Sequence, residues 1–177
     1  MLISWHILRK MVTPPHEPTA RELADTLTMS TVEVDGWVDQ ARDLEHIVVG
    51  EIVNIEPHPN ADKLKLVRVD VGTGELEVVC GGVNIRVDMK IVFAHPGARV
   101  KWHGQGDWIT LESAVIRGVA SAGMICAAEE VGIVDANAVE HGVMDVSSLE
   151  TKPGTPLAQA LGYDDIILEV DNKSLTH

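Results

Sequence analysis

Hydrophobic and polar positions change their period twice along the chain. In "TARELADTL" the apolar residues Ala20, Leu23, Ala24 and Leu27 share one helical face, and Thr19 with Glu22 three residues on makes a capping box, which predicts a helix ending near Met29. "TVEVDGWV" then alternates Val32 and Val34 with charges, the pattern of a strand with one wet face. Residues 39–46, "DQARDLEH", keep neither period and mark a boundary. From Ile47 to about Val146 the chain turns to Val, Ile and Gly in five strand-length runs: "HIVVGEIVNI", "KLKLVRVDVG", "LEVVCGG", "KIVFAHPGARV" and "ITLESAVIRGV". Five strands joined by Gly-rich or Pro-rich connections are what a small barrel requires. In the second run the apolar set moves from Leu64 and Leu66 to Val67, Val69 and Val71. A one-residue slip swaps sheet faces, so a bulge or sharp bend is predicted near Leu66. "SAGMICAAEEVG" reads as a short helix capped by Ser121 and stopped by Gly132. "KPGTPLAQALG" repeats that grammar with Thr155 at the cap, Pro156 at the first helical position and Gly162 past the end, and "DIILEVD" reads as a strand.

Composition sharpens this picture. A chain of 177 residues, 45% hydrophobic, suits one ordinary domain or two small ones with a real core. One Phe and one Tyr against four Trp make that core aliphatic. A formal net charge of -13 excludes a tight, autonomous binder of nucleic acid or anionic membrane, because such binding rests on phosphate neutralisation by a basic patch. Residues 46–146 carry eight Lys and Arg against fourteen Asp and Glu, so any anion site is local. Cys80 and Cys126 have no flanking CxxC and are expected to be small buried hydrophobes in a reduced, cytoplasmic setting. In "MLISWHILRKMV" the basic residues follow the apolar ones, the reverse of a signal peptide, and no apolar run approaches ~18 residues. A soluble, unprocessed chain with no membrane contact is expected.

Catalytic signatures are missing. The sequence has no GxxxxGK[ST], HExxH or GxSxG, and no GxGxxG between a strand and a helix, so no catalytic residue, nucleotide loop or metal site is assigned. His58 stands between Pro57 and Pro59 and is expected to be a surface turn residue. An acid–base pair of His58 with Asp62 lacks the buried setting that shifts a pKa. Within "IEPHPNADKLKLVRVDVG" the prolines fix φ, and Asn60 and Asp62 bond their own backbone. That turn chemistry leaves Lys63, Lys65 and Arg68 unexplained; alternation puts Lys63 and Lys65 on one face. In "KWHGQGDW" the residues Trp102 and Trp108 are expected to close a hairpin rather than stack on bases.

Three spaced pieces, "HPNADKL" at 58–64, "CGGVN" at 80–84 and "RGVASAGMIC" at 117–126, resemble in order and spacing the tRNA-binding OB domain. That domain is shared by bacterial phenylalanyl-tRNA synthetase beta chains, the tail of some methionyl-tRNA synthetases and free-standing tRNA-binding proteins. The flanks "ISWHIL", "VEVDGW" and "PGTPLAQALGYDDIILEVD" are similar to the beta chain in particular, and the resemblance covers essentially the whole chain. It implies an α+β protein in which a five-stranded OB barrel at 46–147 is inserted into a small α+β domain made of 1–45 and 148–177. The helix and strand before Asp39 would pack with the helix and strand after Lys152. The ending "DNKSLTH" stands where relatives run into "TPNRPD", which implies an amino-terminal fragment cut before its continuation.

The implied function is an accessory tRNA-binding and assembly module of an ATP-dependent phenylalanine-tRNA ligase, without the catalytic site. The fragment would need no cofactor; ATP and magnesium would belong to the whole enzyme. Its partners would be tRNA and the alpha chain, in a heterotetramer of two alpha and two beta chains. By resemblance Asn60, Lys63, Ser121 and Met124 match positions associated with tRNA contact, joined by the basic neighbours Lys65, Arg68 and Arg117. Asp62, Gly81, Gly118 and Gly123 read as shaping residues, while Lys63 and Arg117 suit a solvated face and a phosphate contact equally. The alternative is a protein-interaction OB module that does not bind RNA, which the acidic balance favours.

Overall fold

A computed structural model of the chain describes residues 1–134 and 138–171, so the closing "NKSLTH" lies outside the described residues. In chain order the strands are β1 (Leu2–Ser4), β2 (Val34–Asp39), β3 (Ile47–Pro57), β4 (Lys65–Asp70), β5 (Glu75–Cys80), β6 (Lys90–Ala94), β7 (Arg99–Lys101), β8 (Trp108–Thr110), β9 (Ala114–Ile116), β10 (Val119–Ser121), β11 (Met124–Ile125) and β12 (Ile166–Val170). The α-helices are α1 (Trp5–Leu8), α2 (Ala20–Ser30) and α3 (Leu157–Leu161). These elements form two compact units, one joining Met1–Arg42 to the chain from Gly162 onward and the other comprising Asp43–Leu161.

In the first unit β12 lies between β1 and β2 in an antiparallel sheet, with Leu168 opposite both Ile3 and Trp37. The capping box forms as expected: the Glu22 N–H donates to the Thr19 hydroxyl and the Thr19 N–H to the Glu22 carboxylate. The cap starts α2 so that Leu23 and Ala24 are buried in a cluster with Trp5, Leu168 and Val170. Asp165 accepts from the Ser4 hydroxyl and the His6 N–H, which ties α1 to the start of β12.

The second unit is a nearly closed five-stranded antiparallel barrel, in the order β11-β6-β3-β4-β5. Closure comes from the chain around Ser121, where the Ala122 N–H donates to Glu77 O and the Val79 N–H to the Ser121 hydroxyl. Val67, Val69, Val78, Ile52, Met89 and Ile91 fill the interior around the single Phe, Phe93, all of them fully buried. Burying an aliphatic side chain is worth about 1.5–3 kcal/mol, so this aliphatic set is enough to hold the barrel.

The structure corrects several expectations. The bulge lies on β3 at Val53, where Ile52 pairs with Val69 and Asn54 with Arg68, because Ile52 and Ile55 both pack inward three residues apart. Leu64 and Leu66 are half-buried outside that core. "KIVFAHPGARV" breaks into β6 and β7 at Pro96-Gly97, and "ITLESAVIRGV" runs through β8 and β9 to the first residue of β10. "SAGMICAAEEVG" is not a helix: Ser121 ends β10, Met124 and Ile125 pair with β6, and only Glu129–Val131 turns, as a single 3-10 turn. Barrel closure outweighs local helix propensity there. The Thr155 hydroxyl donates to Lys152 O instead of capping α3. Residues 148–161, read as flanking, lie in the barrel unit. β4 pairs with β3 only from Glu51, and the open edge at Val49 is covered when its N–H donates to Thr155 O and its carbonyl accepts from the Gly154 N–H.

Candidate nucleic-acid interface

β3 ends at Pro57, and the chain must reverse before β4. The His58 N–H donates to Leu64 O and the Leu64 N–H to Ala61 O, closing the loop. His58 is buried, 6% exposed, which corrects its expected place on the surface. A buried ring needs partners for both nitrogens. Nδ1 accepts from the Asn60 N–H at 3.1 Å, so the ring proton sits on Nε2 and is donated to Ile116 O at 3.2 Å. Asn60 Nδ2 in turn donates to Arg117 O at 3.0 Å, across 57 positions of sequence. "HPN" is thus a clamp on a second, distant turn.

That second turn joins β9 to β10. Ile116 pairs with Val119, leaving Arg117 and Gly118 as a two-residue hairpin loop with φ of +50° and +89°. Both lie in the left-handed region, the signature of a type I′ turn, where Asn-Gly or Asp-Gly is the usual choice. Holding Arg there costs about 1–2 kcal/mol, and the bonds from His58 and Asn60 to the two carbonyls oppose that strain.

The remaining motif residues take part in closing the barrel. Ser121 is 4% exposed, and its hydroxyl accepts from the Val79 N–H at 3.1 Å while donating to Gly123 O at 2.9 Å. A Cβ on Gly123 would stand 2.6 Å from Phe93 Cζ and 2.7 Å from Ala94 O, so only glycine lets the closing strand reach β6. Met124 opens β11 opposite Ala94, half-buried. Cys80 and Cys126 are free and buried, and burial pushes both thiols up, so neither is a ready nucleophile. Among the described residues no three His, Cys, Asp or Glu side chains gather as a metal site needs, and no helix is long and apolar enough to cross a membrane.

Partners divide the basic side chains. Arg68 pairs with Glu75 at 3.7 Å, Arg86 with Asp145 at 3.0 Å and Arg99 with Asp43 at 2.6 Å. The Lys90 ammonium donates to Leu149 O and Thr151 O, and that of Lys101 sits 5.0 Å from the centre of the Trp108 ring. In the barrel unit Lys63, Lys65, Arg117 and Lys152 remain, forming no side-chain hydrogen bond or ion pair among the described residues. The first three belong to the two clamped loops and the strand that follows the first. Sequence reasoning named these three as candidates, but missed His58 as the residue joining the loops; its signal was a histidine between prolines in an otherwise polar turn.

A concave groove of about 960 Å³ lies on the barrel, with Ser121 and Met124 in its lining. Among the described residues its charged lining is Glu112, Glu129, Glu130 and Glu140, with no Lys or Arg. Burial pushes the Glu130 carboxyl up, opposed by the Ala127 N–H that donates to it.

Comparison with known proteins places the chain in a family. The chain is 36% identical over 171 residues to the phenylalanine–tRNA ligase beta subunit of Psychrobacter arcticus, which covers 96% of this chain and 20% of that protein. It is 37% identical over 172 residues to the subunit of the same name from Coxiella burnetii, covering 97% and 20%. For Staphylococcus aureus the identity is 35% over 175 residues, covering 97% and 21%. The chain therefore spans about a fifth of the length of these curated relatives. A sequence-family profile described as "Putative tRNA binding domain" matches residues 47–156, the barrel with its closing segment, and the chain belongs to that family.

Proposed function

We propose that the chain is an accessory tRNA-binding and assembly module of a phenylalanine-tRNA ligase, holding tRNA through Lys63, Lys65 and Arg117. The observation that carries this reading is the sorting of cations: in an acidic barrel unit, three of the four basic side chains without a partner, Lys63, Lys65 and Arg117, lie on two loops that clamp each other and on the strand that follows the first. Unpaired cations are the ones that can neutralise phosphates and release counterions. With no aromatic side chain among them, the contact is to the sugar-phosphate backbone and positions RNA rather than reading its sequence. Asn60 and Ser121 serve by building the turn and the closure, and Arg68 is held back by Glu75. Relatives named as phenylalanine–tRNA ligase beta subunits, about five times longer, support a place in such a ligase; the setting proposed with it is a cytoplasmic enzyme of two alpha and two beta chains whose ATP- and magnesium-dependent chemistry lies outside this chain.

A second reading, a protein-interaction module, is favoured by the glutamate-lined groove, which suits a cationic partner better than RNA. Titrating the chain with a tRNA transcript at two salt concentrations separates the two. Saturable binding that weakens as salt rises supports the tRNA reading. No binding even at low salt removes it and leaves the groove as the functional surface.

A further inference from the structure

We propose that His58 is a positioning residue for RNA, acting through Arg117: the imidazole holds the β9–β10 turn in the one conformation that presents the Arg117 guanidinium outward. This rests on the tRNA reading above. Arg117 is an unusual choice for a left-handed position, yet its side chain is exposed and unpartnered, so the turn is kept for what the arginine reaches and not for what it packs against. The two-residue loop of the β9–β10 pairing calls for a primed turn, which an Asn-Gly pair would fit with less strain, so an arginine held there needs a further restraint. The restraint comes from outside the hairpin. His58 Nε2–H holds Ile116 O, Asn60 Nδ2 holds Arg117 O, and His58 Nδ1 accepts from the Asn60 N–H and so sets the residue that makes the second bond. The buried ring thus holds the Ile116 carbonyl directly and the Arg117 carbonyl through Asn60.

The two imidazole nitrogens can be removed separately. His58→Asn keeps an acceptor near Nδ1 and loses the reach to Ile116 O, whereas His58→Gln keeps a donor near Nε2. Both variants, Arg117→Ala and the double variant His58→Asn/Arg117→Ala are titrated with a tRNA transcript below their melting transitions, and the Arg117 amide-to-Hα coupling is read by NMR as a report of φ. His58→Asn is expected to weaken binding ~five-fold, as Arg117→Ala does and as one lost phosphate contact would, with the Arg117 coupling leaving its left-handed value. His58→Gln keeps affinity within ~two-fold, and the double variant binds no worse than Arg117→Ala alone, because the two act through one contact. Additive losses in the double variant, or a folded His58→Asn protein with wild-type affinity, overturn the positioning role. If Arg117→Ala binds normally while Lys63→Ala is weakened, this inference fails and the tRNA reading stands; if the unaltered chain shows no salt-dependent binding, both fall.

Discussion

Two turns on the barrel hold a left-handed residue beside basic side chains, and they treat those cations in opposite ways. In the hairpin of β7 and β8, Lys101 pairs with Trp108, and the ring centre lies 5.0 Å from its ammonium and 5.5 Å from the Arg99 guanidinium, while Arg99 also bonds Asp43. His103 turns at φ +51°, and Trp102 is 59% exposed at the tip. In the clamp, the imidazole, the amide and the turn carbonyls satisfy one another, and Lys63 and Arg117 are left out of every pairing. The hairpin uses its charge to hold itself together; the clamp uses neutral hydrogen bonds and keeps its charge for something else. Availability of a cation is set by what its neighbours leave unsatisfied, not by how many cations a stretch contains.

Both turns depend on the same barrel, so the largest expected effect removes them together. Phe93→Ala should destabilise the chain by about 3–5 kcal/mol through the cavity it leaves, read by denaturant melts, and should impair tRNA binding only through the unfolded fraction. Ser121→Ala strands the Val79 N–H at the barrel seam and should cost about 1–3 kcal/mol of stability with the salt dependence of binding unchanged. A change in that dependence would return Ser121 to the contact surface. Lys63→Ala should weaken binding by about 1 kcal/mol and lower the salt slope by about one unit.

The smallest effect serves as a control in the other unit. Desolvation raises the Asp165 carboxyl, but the bonds from the Ser4 hydroxyl and the His6 and Ile166 N–H groups outweigh it and hold it below the ordinary carboxylate range. A depressed folded value stabilises above that range, and the stability is lost as pH falls through the lowered value. Melts run from neutral pH toward about pH 3 should therefore fall less steeply for Asp165→Asn than for wild type, by under about 1 kcal/mol, with no effect on tRNA affinity.

Periodicity made four of the five barrel strands and the capped α2 helix legible, because these are local patterns with a buried face. Spaced motifs pointed to the loops: Lys63 was named from the resemblance, and Lys65 and Arg117 as its basic neighbours. What escaped was long-range. Ser121 looked like a cap because its neighbours are small, and only the β5 edge at Val79 shows why the segment stays extended. His58 looked like a turn residue because its two partners, one of them 58 positions away, carry no mark of the contact. Arg68 looked as available as Lys63 until pairing placed Glu75 beside it, and the Val53 bulge was hidden in an ordinary run of apolar residues.

The comparison of the two turns reduces to one measurement: the slope of log Kd against log salt for tRNA binding by wild type, by Lys63→Ala/Arg117→Ala and by Arg99→Ala/Lys101→Ala. The clamp variant should lose about two units of slope, one for each phosphate contact, and the hairpin variant should keep the wild-type slope with only its melting temperature lowered. A hairpin variant whose slope falls as far as that of the clamp variant, or a clamp variant whose slope does not move, would contradict the division of the barrel's cations into those that hold the fold and those that hold RNA.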